Sequence, residues 1–162
     1  MPQTTDIRPL LDSYAERGLL SDLRAKASLG NRNGYQFKWH YNRQFELLVD
    51  SDAKRVAFVG LLPEVSAGQP LFAEISDFVA GLSHDSLFDH RRIDAARVRL
   101  FCENDDGGVT VAAQAIDGDL EHAARKLIHA VNEIYFDFLP NSSHYQYQVE
   151  KLGLDPNAIT FA

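Results

Sequence analysis

Tyr35, Phe37, Trp39 and Tyr41 alternate with Gln36, Lys38, His40 and Asn42. A period of two places the aromatic set on one side of an extended chain, so this segment is expected to be a half-buried strand. A turn near Asn42-Arg43-Gln44 leads into Phe45, Leu47 and Val49, which repeat the alternation. The polar run Asp50 to Lys54 is a second turn. Arg55 to Leu62 is then almost continuously apolar and stops at Pro63. Unbroken apolarity fits a central strand or one covered on both faces. Together the three runs predict an antiparallel meander.

The flanking segments follow a helical period. Thr5 or Asp6 is suited to cap a first helix with Pro9 in its first turn and Leu10, Leu11 and Tyr14 as its apolar stripe. Gly18 weakens that helix. Ser21 then reads as a fresh N-cap for a short helical turn through Leu23 and Ala27, closed by Gly30. After the meander, Pro70 opens a helix with Leu71, Ile75, Phe78, Val79 and Leu82 along one stripe. Ser83 to Ala95 is a polar connection. Val98, Leu100 and Cys102, then Val109, Val111 and Ala113, form two strands around Asn104-Asp105-Asp106-Gly107-Gly108. Asp-Gly and Gly-Gly supply the positive φ of a tight hairpin, and the acidic run lacks the alternating ligands of a calcium loop. Asp119 caps a long helix with Glu121 in its first turn and Leu120, Ala124, Leu127, Val131, Ile134 and Phe138 as its seam. Leu139-Pro140 ends it. Ser142 or Ser143 is placed to cap a short helix with Tyr145, Val149 and Leu152, before a loose tail.

The expectation is therefore an α+β protein with element order α-β-β-β-α-β-β-α, an antiparallel sheet packed by helices. Residues 1–139 form one domain and 140–162 a C-terminal extension. Length and composition agree: 162 residues, 45% hydrophobic and 10% aromatic, suffice for one core without disulfides or metals.

The formal charge of −7 repels phosphate backbones, so nucleic acid is not an expected partner. The basic run His90-Arg91-Arg92 with Arg97 and Arg99 reads as a solvated loop and strand face. No apolar stretch is long enough to cross a bilayer, and no signal-peptide pattern opens the chain. The single cysteine, Cys102, sits in an apolar alternation as a small buried hydrophobe and has no base beside it. A cytoplasmic protein without a membrane partner is the expectation.

Chemistry-bearing groups are few. His84-Asp85 and Asp89-His90 put two imidazoles and two carboxylates in one loop, the only candidate for a metal or ligand site, at a spacing that matches no metal motif. His122 and His129 stand two helical turns apart, too far for one ion, and read as solvated-face residues. Asp50/Asp52 and Asp117/Asp119 sit where turns or caps explain them. No phosphate loop, nucleophile elbow or His-Glu-x-x-His helix is present. No catalytic residue, metal or cofactor is assigned.

The carriers of a family resemblance are Gly34-Tyr35-Gln36-Phe37, the run Arg55 to Leu62, the hairpin Arg97 to Ala113 and the helix Leu120 to Phe138. In this order they resemble the type III secretion chaperone-like fold, shared by CesT-type secretion chaperones and YbjN-type proteins, over Asp6 to Leu139. The resemblance implies a non-enzymatic homodimer that binds another protein, as a chaperone or as a regulatory accessory. The residues expected to carry protein binding are Phe37, Trp39 and Tyr41 on the sheet and Tyr135 and Phe138 on the last helix. The alternative is a small metal-dependent or ligand-binding protein using the His84–His90 loop.

Overall fold

The computed structural model describes residues 7–25, 32–40, 43–62, 65–66, 68–83, 93–105 and 108–139. Thr5, Asp6, Tyr41, the His84–His90 loop, Arg91, Arg92, the hairpin tip Asp106-Gly107 and the extension 140–162 lie outside the described residues.

Six strands form one antiparallel sheet: β1 (Ser21–Ala25), β2 (Arg32–Trp39), β3 (Arg43–Asp50), β4 (Arg55–Leu62), β5 (Val98–Asp105) and β6 (Gly108–Ala115). Their spatial order is β1-β2-β3-β4-β6-β5. The helices are α1 (Arg8–Glu16), α2 (Pro70–Gly81) and α3 (Leu120–Glu133), the last running on into a π-helical turn, Ile134–Phe138. The α+β class holds, and the expected order lacks one strand.

That strand corrects the helical turn expected after Ser21. Gly18 has φ +74° and stands one residue past the α1 C-cap. Its N–H donates to the Ala15 carbonyl at 3.0 Å and the Leu19 N–H to the Tyr14 carbonyl at 3.0 Å, the paired bonds of a Schellman stop. Gly18 therefore terminates α1 rather than weakening it. The chain leaves extended, and Ser21–Ala25 pairs with β2 as an edge strand. An irregularity at Asp22, φ +55°, interrupts its register, and Lys38 bridges to Asp22 at 3.4 Å. Bulges and charges of this kind discourage edge-to-edge association.

The meander register brings Tyr35 opposite Leu47, Phe37 opposite Phe45, and Leu47 opposite Phe58. With Val56, Val98, Leu100, Val109, Val111 and Ala113 these residues make one face of the sheet, and they share a single core with Leu10 and Leu11 of α1, Leu71, Ile75 and Val79 of α2, and the α3 seam. Each aromatic or aliphatic side chain withdrawn from water contributes roughly 1.5–3 kcal/mol. β4 lies between β3 and β6, which explains its near-continuous apolarity.

The opposite face carries cross-strand ion pairs, Arg32–Asp50 at 3.3 Å and Arg55–Glu103 at 2.8 Å. There the Phe101 ring lies under two guanidinium groups, Arg55 at 5.1 Å and Arg99 at 5.4 Å from its centroid. Arg97 is held by Asp117 at 2.6 Å and Asp119 at 3.2 Å. Arg97 and Arg99, the two described arginines of the basic run read as a solvated loop and strand face, therefore make contacts within the fold.

Asp119 also caps α3, its Oδ1 accepting the His122 N–H at 3.1 Å, as its position in the sequence leads one to expect. At α1 the cap position is Ile7, without a side-chain cap bond. The β5–β6 register closes with Asp105 opposite Gly108, consistent with a hairpin at this point of the chain.

Candidate functional site

The sheet faces its helices most tightly at α3 and most loosely beside α1. Between α1, the end of β2 and the middle of α3 a cleft of about 340 Å³ opens to solvent. Its apolar lining is Tyr14, Leu19 and Leu20 from the α1 side, Phe37 and Trp39 from β2, and Ile128 from α3. Its polar lining is Arg17, Arg125, His129 and Asn132. Arg17 is placed by the Schellman stop at the end of α1. Arg125, Ile128, His129 and Asn132 recur at spacings of three and four, so one face of α3 presents all of them. Among the described residues no lining residue is acidic, in a chain whose formal charge is −7.

Trp39 is the floor. Its ring lies 5.8 Å from Phe58, 5.3 Å from Phe45 and 6.3 Å from Phe37, so the core fixes its position. His40 lies against it, 4.2 Å away between centroids. The His40 ring stacks on Tyr135 at 4.6 Å and meets the edge of Phe136 at 5.1 Å. Burial pulls its pKa down to about 4, and a hydrogen bond with the Asn132 side chain offsets part of that shift. His40 Nε2 is buried without a hydrogen-bond partner, and His129 Nε2 is in the same condition, 3.6 Å from a Glu133 carboxylate oxygen.

Of the residues expected to bind a partner, Phe37 and Tyr135 are 1% exposed and belong to the core, so neither offers surface. Trp39 is half-buried and lines the cleft. Phe138 is half-buried against Phe78, 5.2 Å between rings, near α2 and away from Trp39's neighbours. Tyr41 lies outside the described residues. The expected set is thus not one patch. The exposed large apolar residues near this end of the fold are Leu19, 47% exposed at the cleft, and Phe136, 68% exposed beside His40.

Sequence reasoning missed Phe136, Leu19, Tyr14, Arg17 and Arg125, and read His129 as a solvated-face residue although it lines the cleft. The available signal was the cationic run on α3 beside an apolar seam. Nothing in the sequence paired it with α1.

Groups suited to covalent or metal chemistry stand elsewhere. Cys102 packs beneath α2, where burial pushes its thiol up to about 11 and a hydrogen bond with Ser76 only partly offsets the rise. Asp117 is held below the usual carboxylate range by its bond from Arg97. Among the described residues no group of three His, Cys, Asp or Glu is placed to hold a metal ion. Among the same residues no helix is long and apolar enough to cross a membrane. Comparison of the chain with protein-family models, with curated proteins and with solved structures finds no match.

Proposed function

We propose that this chain is a non-enzymatic protein-binding module, acting as a homodimer, of the secretion-chaperone-like or YbjN-type regulatory kind. The observation that carries the reading is the α1–β2–α3 cleft with exposed apolar residues at this end of the fold, Leu19 on its lining and Phe136 beside His40. Apolar side chains packed on the core, with polar groups from α1 and α3 beside them, are a binding geometry. Exposed large apolar side chains next to them supply the contacts that partner proteins use. Among the described residues, burial holds the Cys102 thiol protonated, and Asp117 and Asp119 bind Arg97.

Capture from cell lysate by the tagged full-length chain, compared with Leu19→Glu and Phe136→Glu, tests this. Both side chains are exposed, so each variant keeps the core, and circular dichroism checks that it does. The expected result is a stoichiometric protein partner lost from at least one variant, and a dimer mass by light scattering for the native chain. A partner retained equally by both variants overturns the assignment to this surface, and a monomer mass overturns the homodimer.

A further inference from the structure

The cleft has a charge pattern that narrows its ligand. Its two half-buried apolar rings, Tyr14 and Trp39, come from α1 and β2, while Arg17 and Arg125 stand at the end of α1 and on α3. Both arginines are exposed. Arg17 is stacked over Tyr14, 5.8 Å from the ring centroid, and among the described residues it has no carboxylate partner. Among the described residues Arg125 is held by Glu121 at 3.1 Å, a solvent-exposed pair one helical turn apart. Such pairs contribute little and exchange readily for a better acceptor. Asn132 adds an amide to the same α3 face, and His129 Nε2, also of the lining residues, is buried and faces a Glu133 carboxylate oxygen at 3.6 Å. Two exposed guanidinium forks and an amide beside an apolar lining, with no acidic residue among the described lining residues, describe the complement of a carboxylate joined to an apolar body.

We propose that the α1–β2–α3 cleft binds a carboxylate carried on an apolar group, the ring or chain lying on Trp39 and the anion meeting Arg17 and Arg125. The proposal rests on the reading of this cleft as the recognition site and names its ligand chemistry. Two sources supply that chemistry: a free aromatic or aliphatic acid, and the carboxyl-terminal residue of a protein partner. A volume of about 340 Å³ is at the small end of ligand sites, enough for a single side chain with its carboxylate and too small for a folded element.

The chain has one tryptophan, and it is the floor of the cleft, so Trp39 emission reports occupancy directly. The full-length chain is titrated with phenylacetate and phenylacetamide, and with a short peptide ending in phenylalanine with either a free or an amidated carboxyl terminus. The expected result is a saturable emission change with at least one free acid, at least tenfold weaker with its amide. Arg17→Gln and Arg125→Gln each weaken acid binding about tenfold, the factor of one charge-assisted hydrogen bond, and leave amide binding unchanged. Saturation by phenylacetate assigns a small acid, and saturation by the free peptide alone assigns a partner's terminus. Equal binding of acid and amide, or no saturable change with any probe, overturns the carboxylate inference. In that event, loss of partner capture in Leu19→Glu still upholds the protein-binding assignment, so the two readings fail separately.

Discussion

Arg43 Nη1 donates a hydrogen bond of 2.9 Å to the Tyr135 hydroxyl, across 92 residues of sequence. It joins the start of β3 to the π-helical turn that ends α3. Tyr135 is almost fully buried, so its hydroxyl needs a partner, and the guanidinium that supplies one is itself half-buried. A hydrogen bond involving a charged group contributes roughly 1.5–3 kcal/mol. Tyr135→Phe keeps the ring stacked on His40 and removes only the oxygen. It is expected to lower stability by about 1–2 kcal/mol in urea denaturation with the slope unchanged. Combined with Arg43→Met, the double variant is expected to lose less than the sum of the two single losses, because both substitutions remove the same bond. Strict additivity would show that the contact contributes nothing.

At the middle of β4 the register with β6 slips between Phe58 and Leu62. Gly60 occupies the slip at φ +61°, and its N–H donates to the buried Thr110 hydroxyl at 3.2 Å. A Cβ at Gly60 would meet nothing within 4 Å, so the only obstacle to a side chain there is the backbone angle. Gly60→Ala is therefore expected to destabilise by about 1 kcal/mol, the left-handed penalty without a clash. Thr110→Val, which removes the acceptor, is expected to cost about 1 kcal/mol, while Thr110→Ser retains most of the native stability. Thermal unfolding of the three variants checks both expectations, and Gly60→Ala at native stability would mean the bulge relaxes.

The meander was legible because period two needs no tertiary information: Tyr35, Phe37 and Trp39 share a face in the sequence and in the fold. Periodicity does not say what covers a face, and here the helices do, so Phe37 is 1% exposed. β1 was hidden for a local reason. In Ser21–Ala25 only Leu23 and Ala25 are apolar, too few to show an alternation, and the strand exists because the Gly18 stop delivers it extended against β2. At the end of α3 the π-helical turn breaks the 3.6-residue spacing, which leaves Tyr135 inside and Phe136 outside. The cleft was invisible because its walls come from positions 14, 39 and 125, and their approach is set by three-dimensional packing alone.

Cys102 lies on β5 beneath α2 and contacts Ser76. With its thiol pushed up to about 11, the folded chain holds far less thiolate at neutral pH than the unfolded chain, whose cysteine titrates near 9.0. Disulfide-exchange labelling of native protein is expected to run about a hundredfold slower than labelling in denaturant, following thiolate fraction. The same shift removes stability as pH rises from about 9 towards 11, since the unfolded chain then releases a proton that the fold retains. Equal labelling rates for folded and unfolded chains would contradict the packing of α2 over this residue.

His40 gives the fold an acid sensitivity of definite sign. Its ring, stacked on Tyr135, holds a pKa of about 4 against an ordinary 6.5 because burial disfavours the imidazolium. Between those two values the unfolded chain binds a proton that the folded chain refuses. Stability therefore falls as the pH drops from 6.5 towards 4 and levels off below, and above 6.5 the group has no effect. His122, also lowered by burial, adds in the same direction. His40→Gln removes the larger share. The native chain is expected to lose about 2 kcal/mol relative to that variant between pH 7 and pH 5, measured by urea denaturation at each pH. The comparison cancels the carboxylates that both proteins share. Parallel stability curves would place the ring in water, and with it the neighbouring Phe136 and Trp39 contacts would need a different arrangement.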